Sequence, residues 1–324
     1  MPQTRDIKRR IKSIGNTKKI TRAMEMVAVA KMRKAIESVL KTRSYANLSW
    51  LTVLNLSAAA NNRGGLLHPL LDKRKEIKRV GIVLITSNRG LCGGFNTAII
   101  NKINSAVERH CKEEGRLTKE TEFILIGRKG AAVYNYFGYN IAADFPKYDV
   151  ISEVKEILPV SELVIKEYTS CKYDQIFVAY TDYISAVKQM PRVKQLLPID
   201  ITTQDEYLGI VGQDPPSGIK KSFLEEKEEK YLKQGQFSYE YTFEPSPEEV
   251  LNDMLPRLIE VQLFQALLES NAAEHSARMT AMHQATEAAG DMVSELTLFY
   301  NKARQASITN EIAEISAGAN ALAE

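Results

Sequence analysis

From Ser246 to about Leu322 the chain carries a single helical apolar pattern, far longer than any helix that one globular domain needs, and that length constrains everything else. Its start signal reads residue by residue. Ser246 takes the N-cap, Pro247 the first helical position where a missing N–H costs nothing, and Glu249 the third, which together make a capping box. From Met254 one residue in every three or four follows a seam: Met254, Leu258, Val261, Gln265, Leu268, Ala272, His275, Met279, Met282, Thr286, Ala289, Val293, Leu296, Tyr300 and Ala303. Twelve of these fifteen are apolar, which a coiled coil sustains and an ordinary surface helix does not. Pro256 is expected to kink the first turns, and Gly290 to weaken the middle by roughly 1 kcal/mol.

A second helix is legible at the other end, from about Thr4 to Ser57. Its apolar positions are Ile7, Ile11, Ile14, Ile20, Met24, Val27, Met32, Ile36, Val39 and Leu40, in a drifting phase. Residues 1–50 hold thirteen Lys or Arg against three acids, net +10, whereas residues 246–324 hold four basic against twelve acidic residues, net −8. Opposite charge beside two apolar stripes predicts an antiparallel pair. At about 1.5 Å per residue the two helices reach roughly 80 Å and 115 Å, so about twenty C-terminal residues overrun the N-terminus. That tail keeps an apolar face, Ile308, Ile312, Ile315, Ala319 and Leu322, with no segment left in the chain to cover it. Leaving it in water costs several kcal/mol at roughly 1.5 to 3 per large aliphatic side chain, so the face calls for foreign polypeptide. At its base Tyr300, Arg304, Ile308 and Ile312 are spaced by four, a stutter that unwinds a supercoil.

Between Arg79 and Pro198 the pattern changes. Val80 to Thr86, Phe123 to Ile126, Tyr139 to Ala142 and Gln175 to Tyr180 read as strands, alternating with helical stretches Ala98 to His110, Gly130 to Phe137 and Ser152 to Thr169, the last bent at Pro159. Such alternation predicts a mainly parallel, doubly wound, Rossmann-like α/β domain. The predicted division is a helix over 1–57, an α/β domain over 58–245 with an inserted loop near 202–236, and a helix over 246–324. Phe237 to Phe243 alternates aromatic and polar residues and reads as a strand returning to the sheet.

Candidate chemistry is sparse. Ser87 to Asn96 places glycines between a strand and a helix, where backbone N–H groups can cradle a phosphate, but the spacing matches neither the dinucleotide fingerprint nor the P-loop. A tight turn allowing close helix packing is the stronger reading. His275 and His283 stand about 12 Å apart along a helix, too far to share a metal, and no metal or cofactor is expected. Ser87 and Cys92 have no adjacent activating group, so no catalytic residue is assigned. Glu225, Glu226, Glu228 and Glu229 read as solvated faces. The basic first helix admits a nucleic-acid reading, against which stand charges spread around the helix and no aromatic residue before Tyr45. No run of eighteen apolar residues is present, and three separated cysteines suit a reducing compartment. Residues 1–20, nearly free of acids, also suit a targeting peptide, but they carry the helix register.

Three blocks then carry a resemblance: IKSIGNTKKITRAMEMVAVAKMRK over Ile11 to Lys34, SNRGLCGGFN over Ser87 to Asn96, and YNKARQASITNEIAEISAG over Tyr300 to Gly318. In that order, across nearly the whole chain, they resemble the gamma subunits of rotary proton-translocating ATP synthases. The resemblance implies a non-catalytic rotor shaft: terminal helices inside a hexagon of three alpha and three beta subunits, and an α/β domain outside it near the epsilon subunit and the ring of c subunits. It implies that Met24 and Arg278 meet the moving beta subunits, that Arg304, Gln305 and Thr309 make polar contacts to the catch loops of the hexagon, and that Ile308, Ile312 and Ile315 line the sleeve. It further implies a peripheral place on the cytoplasmic face of a bacterial inner membrane, rather than on an organelle membrane, held there through partner subunits alone. Segments 61–77 and 202–236 are longer than in compact bacterial members, and the paired-cysteine insert of chloroplast forms is not evident. The competing reading is a stand-alone nucleotide-binding α/β protein with a coiled-coil dimerisation arm.

Overall fold

The computed structural model describes residues 4–62, 68–72, 74, 77–113, 121–149, 154–199, 244 and 247–321. The expected insert over 202–236 and the strand over 237–243 lie outside the described residues. Two compact units are present, Met1–Ala30 with Arg278–Glu324, and Lys31–Ala277. Two long helices contribute to both: α1, Thr4–Asn62, which continues past Ser57, and α5, Pro247–Ala321.

In the 31–277 unit five strands form one sheet: β1 Val80–Ile85, β2 Thr121–Ile126, β3 Asn140–Phe145, β4 Gln175–Tyr183 and β5 Gln189–Leu197. Their order is β3-β2-β1-β4-β5. β1 pairs in parallel with β2 (Val80 opposite Thr121) and with β4 (Val80 opposite Gln175), β2 in parallel with β3, and β4 antiparallel with β5. Parallel neighbours need crossovers, supplied by α2 Phe95–Glu113, α3 Ala132–Phe137 and α4 Leu158–Thr169.

Central position explains why β1 reads as an unbroken apolar run: both its faces are buried. Val83 and Ile85 join one core with Val178 of β4, Val164 of α4, and Ile259, Leu263 and Leu267 of α5. Ile82 and Leu84 face the other way, onto Ile99 and Ile103 of α2 and Val133 of α3.

Several expectations are corrected here. Pro159 does not bend a helix; it occupies the first turn of α4, where a proline sacrifices no hydrogen bond, and the preceding Val154–Glu156 forms a separate 3-10 turn. β5 has no counterpart among the strands expected from sequence, because Pro191, Arg192 and Lys194 break its pattern; an edge position tolerates both proline and charge. The stretch 258–276 of α5 is not a surface seam at all, since every residue but Glu260 is buried. There α5 serves as a central helix of the α/β unit rather than as half of a coiled coil.

The glycine loop finds its role in the same unit. Leu91 and Gly93 adopt left-handed backbone, with φ of 62° and 56°. Ser87 N–H donates to Asn96 Oδ1 (3.0 Å), Ser87 Oγ to the Arg89 carbonyl (2.8 Å) and Asn96 Nδ2 to Ser87 Oγ (2.7 Å). These bonds tie the loop to the start of α2. The resulting knuckle packs Cys92 and Phe95 against Ala273 of α5. The glycines do not make room for that contact as expected, since a Cβ on Gly90 or Gly94 would meet nothing within 4 Å; Gly93 serves the turn through its left-handed backbone.

Candidate functional site

The other unit, 1–30 with 278–324, is a pair of helix segments whose register can be read from polar contacts. Thr286 Oγ1 donates to Thr21 Oγ1 at 2.8 Å, His283 Nδ1 lies 3.2 Å from Glu25 Oε1, and a Cβ on Gly290 would stand 2.9 Å from Lys18 Nζ. Rising numbers on one helix meet falling numbers on the other, so the pair is antiparallel. Carried along the helices, that register sets Thr4 level with about Arg304.

Burial follows the same frame. On α5, Met282, Thr286 and Ala289 are buried and Val293, Leu296, Tyr300 and Ala303 half-buried, the seam expected from sequence. On α1 the covered residues include Ile7, Ile11, Ile14, Thr21, Met24 and Ala28, with Thr4, Gly15, Glu25 and Val29 half-buried beside them. Ile20 and Val27 are exposed, as is Leu40 farther along α1, which corrects their assignment to the seam. Their spacing puts them on the back of the helix, and the smaller Thr21 and Ala28 take the contact instead. The stutter is corrected too: the last covered positions are Ala303 and Ala306, spaced by three, and Arg304 and Ile308 point to water. Alanines at the end of a pair allow close backbone approach without apolar bulk. Gly290 acquires a use beyond weakening the helix, since it leaves room for Lys18.

Beyond Ala306 every residue through Ala317 is exposed. Among the described residues the tail does not fold back: Ile308, Ile312 and Ile315 keep 47%, 60% and 73% of their surface in water, while Leu322 lies outside the described residues. Leu298 and Phe299 add to this exposed apolar surface. Just before the tail a groove of about 710 Å³ is lined by apolar Ile7, Leu296 and Phe299 and by Arg9, Arg10 and Lys302 against a single acid, Asp6.

The site residues fall into two places. Arg304, Gln305, Ile308, Thr309, Ile312 and Ile315 occupy one stretch of α5 about 16 Å long. Gln305 and Thr309 are exposed, with Thr309 Oγ1 donating back to the Gln305 carbonyl at 2.9 Å. Arg278 lies about 39 Å down the same helix from Arg304. Arg278 and Met24 are both half-buried. Exposed Phe299 and the basic groove residues stand outside the residues singled out from sequence, although a Phe one position off a seam is a readable signal.

None of this geometry brings together a nucleophile, base and orienting group; it offers a rod of apolar and basic side chains to another surface. A family model described as ATP-synt, ATP synthase, matches residues 3–322. The ATP synthase gamma chain of Heliobacterium modesticaldum is 41% identical over 322 residues, covering 99% of this chain and 100% of that one. This chain belongs to the ATP synthase gamma chain family. The gamma chain of Chloroflexus aurantiacus is 38% identical over 328 residues, with 99% of each chain covered. Among solved structures, the fold is similar to a chain of the Tetrahymena thermophila mitochondrial ATP synthase central stalk and c-ring, with a TM-score of 0.57 at 21% identity over 82% of this chain and 99% of that one. Gamma chains are non-catalytic: they couple rotation to the nucleotide chemistry of other subunits, and this chain shares that role. Among the described residues no helix is long and apolar enough to cross a membrane.

Proposed function

We propose that the chain is the central-stalk shaft of a proton-translocating ATP synthase, seated in a hexagon of three alpha and three beta subunits, with its α/β domain against the epsilon subunit and the c ring. Functionally it divides into helix 1–57, α/β domain 58–245 and helix 246–324, the middle part being Rossmann-like in strand order but used as a torque-bearing scaffold. The sleeve of the hexagon covers Ile308, Ile312 and Ile315, its catch loops meet Arg304, Gln305 and Thr309, and the moving beta subunits press on Met24 and Arg278. A peripheral position on the cytoplasmic face of a bacterial inner membrane, through partners alone, completes the reading, and the bacterial relatives support it.

The observation that carries this reading is the helix end past Ala306, which remains helical through Ala321 while its isoleucines stay in water. A single asymmetric rod offers three surrounding subunits three different faces. It shifts each toward a different conformation only in so far as it contacts those conformations differently. Turning the rod therefore cycles each beta subunit through its states. No residue of the rod needs to touch nucleotide.

The test is stoichiometry. Purified with its alpha and beta partners, the chain is expected at one copy per three of each; binding to neither, or equimolar binding, would refute the shaft.

A further inference from the structure

One turn of α5 inside the 31–277 unit is gripped by polar contacts from two sides. Lys147 Nζ meets Glu274 Oε2 at 2.8 Å, with only 2% and 6% of the two side chains exposed. The ammonium also lies 5.8 Å from the centre of the Phe95 ring, and the Lys147 carbonyl accepts from Asn88 Nδ2 at 2.5 Å. Lys147 is thereby braced by the glycine knuckle. The next two residues hold the same helix face: the Tyr148 carbonyl accepts from Asn271 Nδ2 (3.4 Å), and the Asp149 carbonyl lies 3.1 Å from His275 Nε2. Lys31 of α1 anchors this strap through the Asp149 carboxylate at 2.7 Å. From the other side, Ser276 Oγ donates to the Ala186 carbonyl (2.7 Å) and accepts from Gln189 Nε2 (3.1 Å).

A buried ion pair is weak evidence for stability, because desolvation offsets most of its attraction and a well-packed apolar pair often does as well. What apolar packing lacks is direction. Interdigitated side chains oppose any movement of a buried helix, and a hydrogen-bonded ion pair adds a contact whose strength depends on angle; rotation is the load that a shaft bears. We propose that Lys147 is a positioning residue whose pair with Glu274 keys the rotational setting of α5 in the α/β domain, so that torque turns the helix instead of slipping around it. This rests on the shaft reading. α5 itself is one uninterrupted helix from Pro247 to Ala321.

The experiment replaces both partners, Lys147→Met with Glu274→Met, in the whole ATP synthase reconstituted into lipid vesicles. It records melting temperature of the chain, ATP hydrolysis, and protons pumped per ATP. The expected result is a melting temperature at or near that of the wild type with protons pumped per ATP reduced several-fold, and with Lys147→Arg, which keeps the charge, pumping normally. Retained stability with full pumping overturns the proposal. Should the double variant not fold, Lys147→Leu with Glu274→Leu, which likewise leaves no buried charge unpaired, decides instead: a lower pumping ratio at a retained melting temperature supports the key, and full pumping overturns it. Vesicles with the wild-type chain must pump; if they do not, the shaft reading falls and this proposal with it.

Discussion

Removing the residues after Ala306 separates what the tail does for the chain from what it does for a partner. In the free chain residues 307–317 are exposed, so their loss uncovers nothing in the paired helices. Surface changes of this kind stay within about 0.5 kcal/mol, a shift of no more than about 2 °C in melting temperature. The partner's loss is larger. Ile308, Ile312 and Ile315 offer 47%, 60% and 73% of their surface, and full burial of such a side chain gives roughly 1.5 to 3 kcal/mol. Scaled by those exposures, covering all three is worth about 3 to 5 kcal/mol, or about 100- to 10,000-fold in dissociation constant. Little is lost to ordering, because the segment is already helical. Thermal unfolding of the isolated chain, set beside equilibrium binding to the alpha–beta hexagon, measures both quantities. An unchanged dissociation constant, or a melting temperature lowered by many degrees, would refute the reasoning.

Three further outcomes are expected. Met24→Lys should lower protons pumped per ATP far more than it lowers stability, which falls by about 1 kcal/mol or less because a half-buried lysine stem can reach water; loss of thermal stability with normal pumping would remove Met24 from the contact surface. Gly290→Ala should raise stability by about 0.5 to 1 kcal/mol, since the atom its Cβ meets is the movable end of Lys18, and a drop in melting temperature would mean that Lys18 cannot yield. Burial pushes the Asp174 carboxyl up, but the Arg79 N–H, the Arg74 guanidinium and the Lys78 N–H outweigh it and hold the pKa below its usual value. A depressed carboxylate stabilises above its unfolded pKa, about pH 4, and loses that contribution as pH falls through the folded value; Asp174→Asn should therefore lower melting temperature at neutral pH and flatten its fall in acid, and a parallel acid limb would contradict the assignment.

Length makes the tail legible: two helix spans and one charge asymmetry place its start near Arg304 without any geometry. β1, β2 and β4 are legible because largely buried strands become plain apolar runs, whereas the edge strand β3, with no buried residue, is legible only over Asn140 to Ala142. β5 is not, because an edge strand paired on one side only is free to carry Pro191 and Arg192. The first helix misleads in a different way. Ile20, Val27 and Leu40 are apolar but lie off the contact face, and periodicity weighted by hydrophobicity prefers them to Thr21 and Ala28. The central role of α5 does have a signal in the sequence: from Leu258 to Ala277 there is no Lys or Arg, which a helix with a water-facing side would carry. Nothing in the sequence announces Lys147 with Glu274, since an ion pair across 127 residues exists only once the sheet and α5 have met. The contact of Cys92 and Phe95 with Ala273 belongs to the same class, although the left-handed turn itself is foreshadowed by Gly93.

Rotation is the property to measure. Cys171 is exposed in the α/β domain and provides a thiol for attaching a bead or fluorophore, with the alpha–beta hexagon fixed to a surface. Under ATP the label on this chain is expected to turn in one sense, in steps that match the number of catalytic beta subunits. A label that stays still while ATP is hydrolysed at the full rate would contradict the shaft.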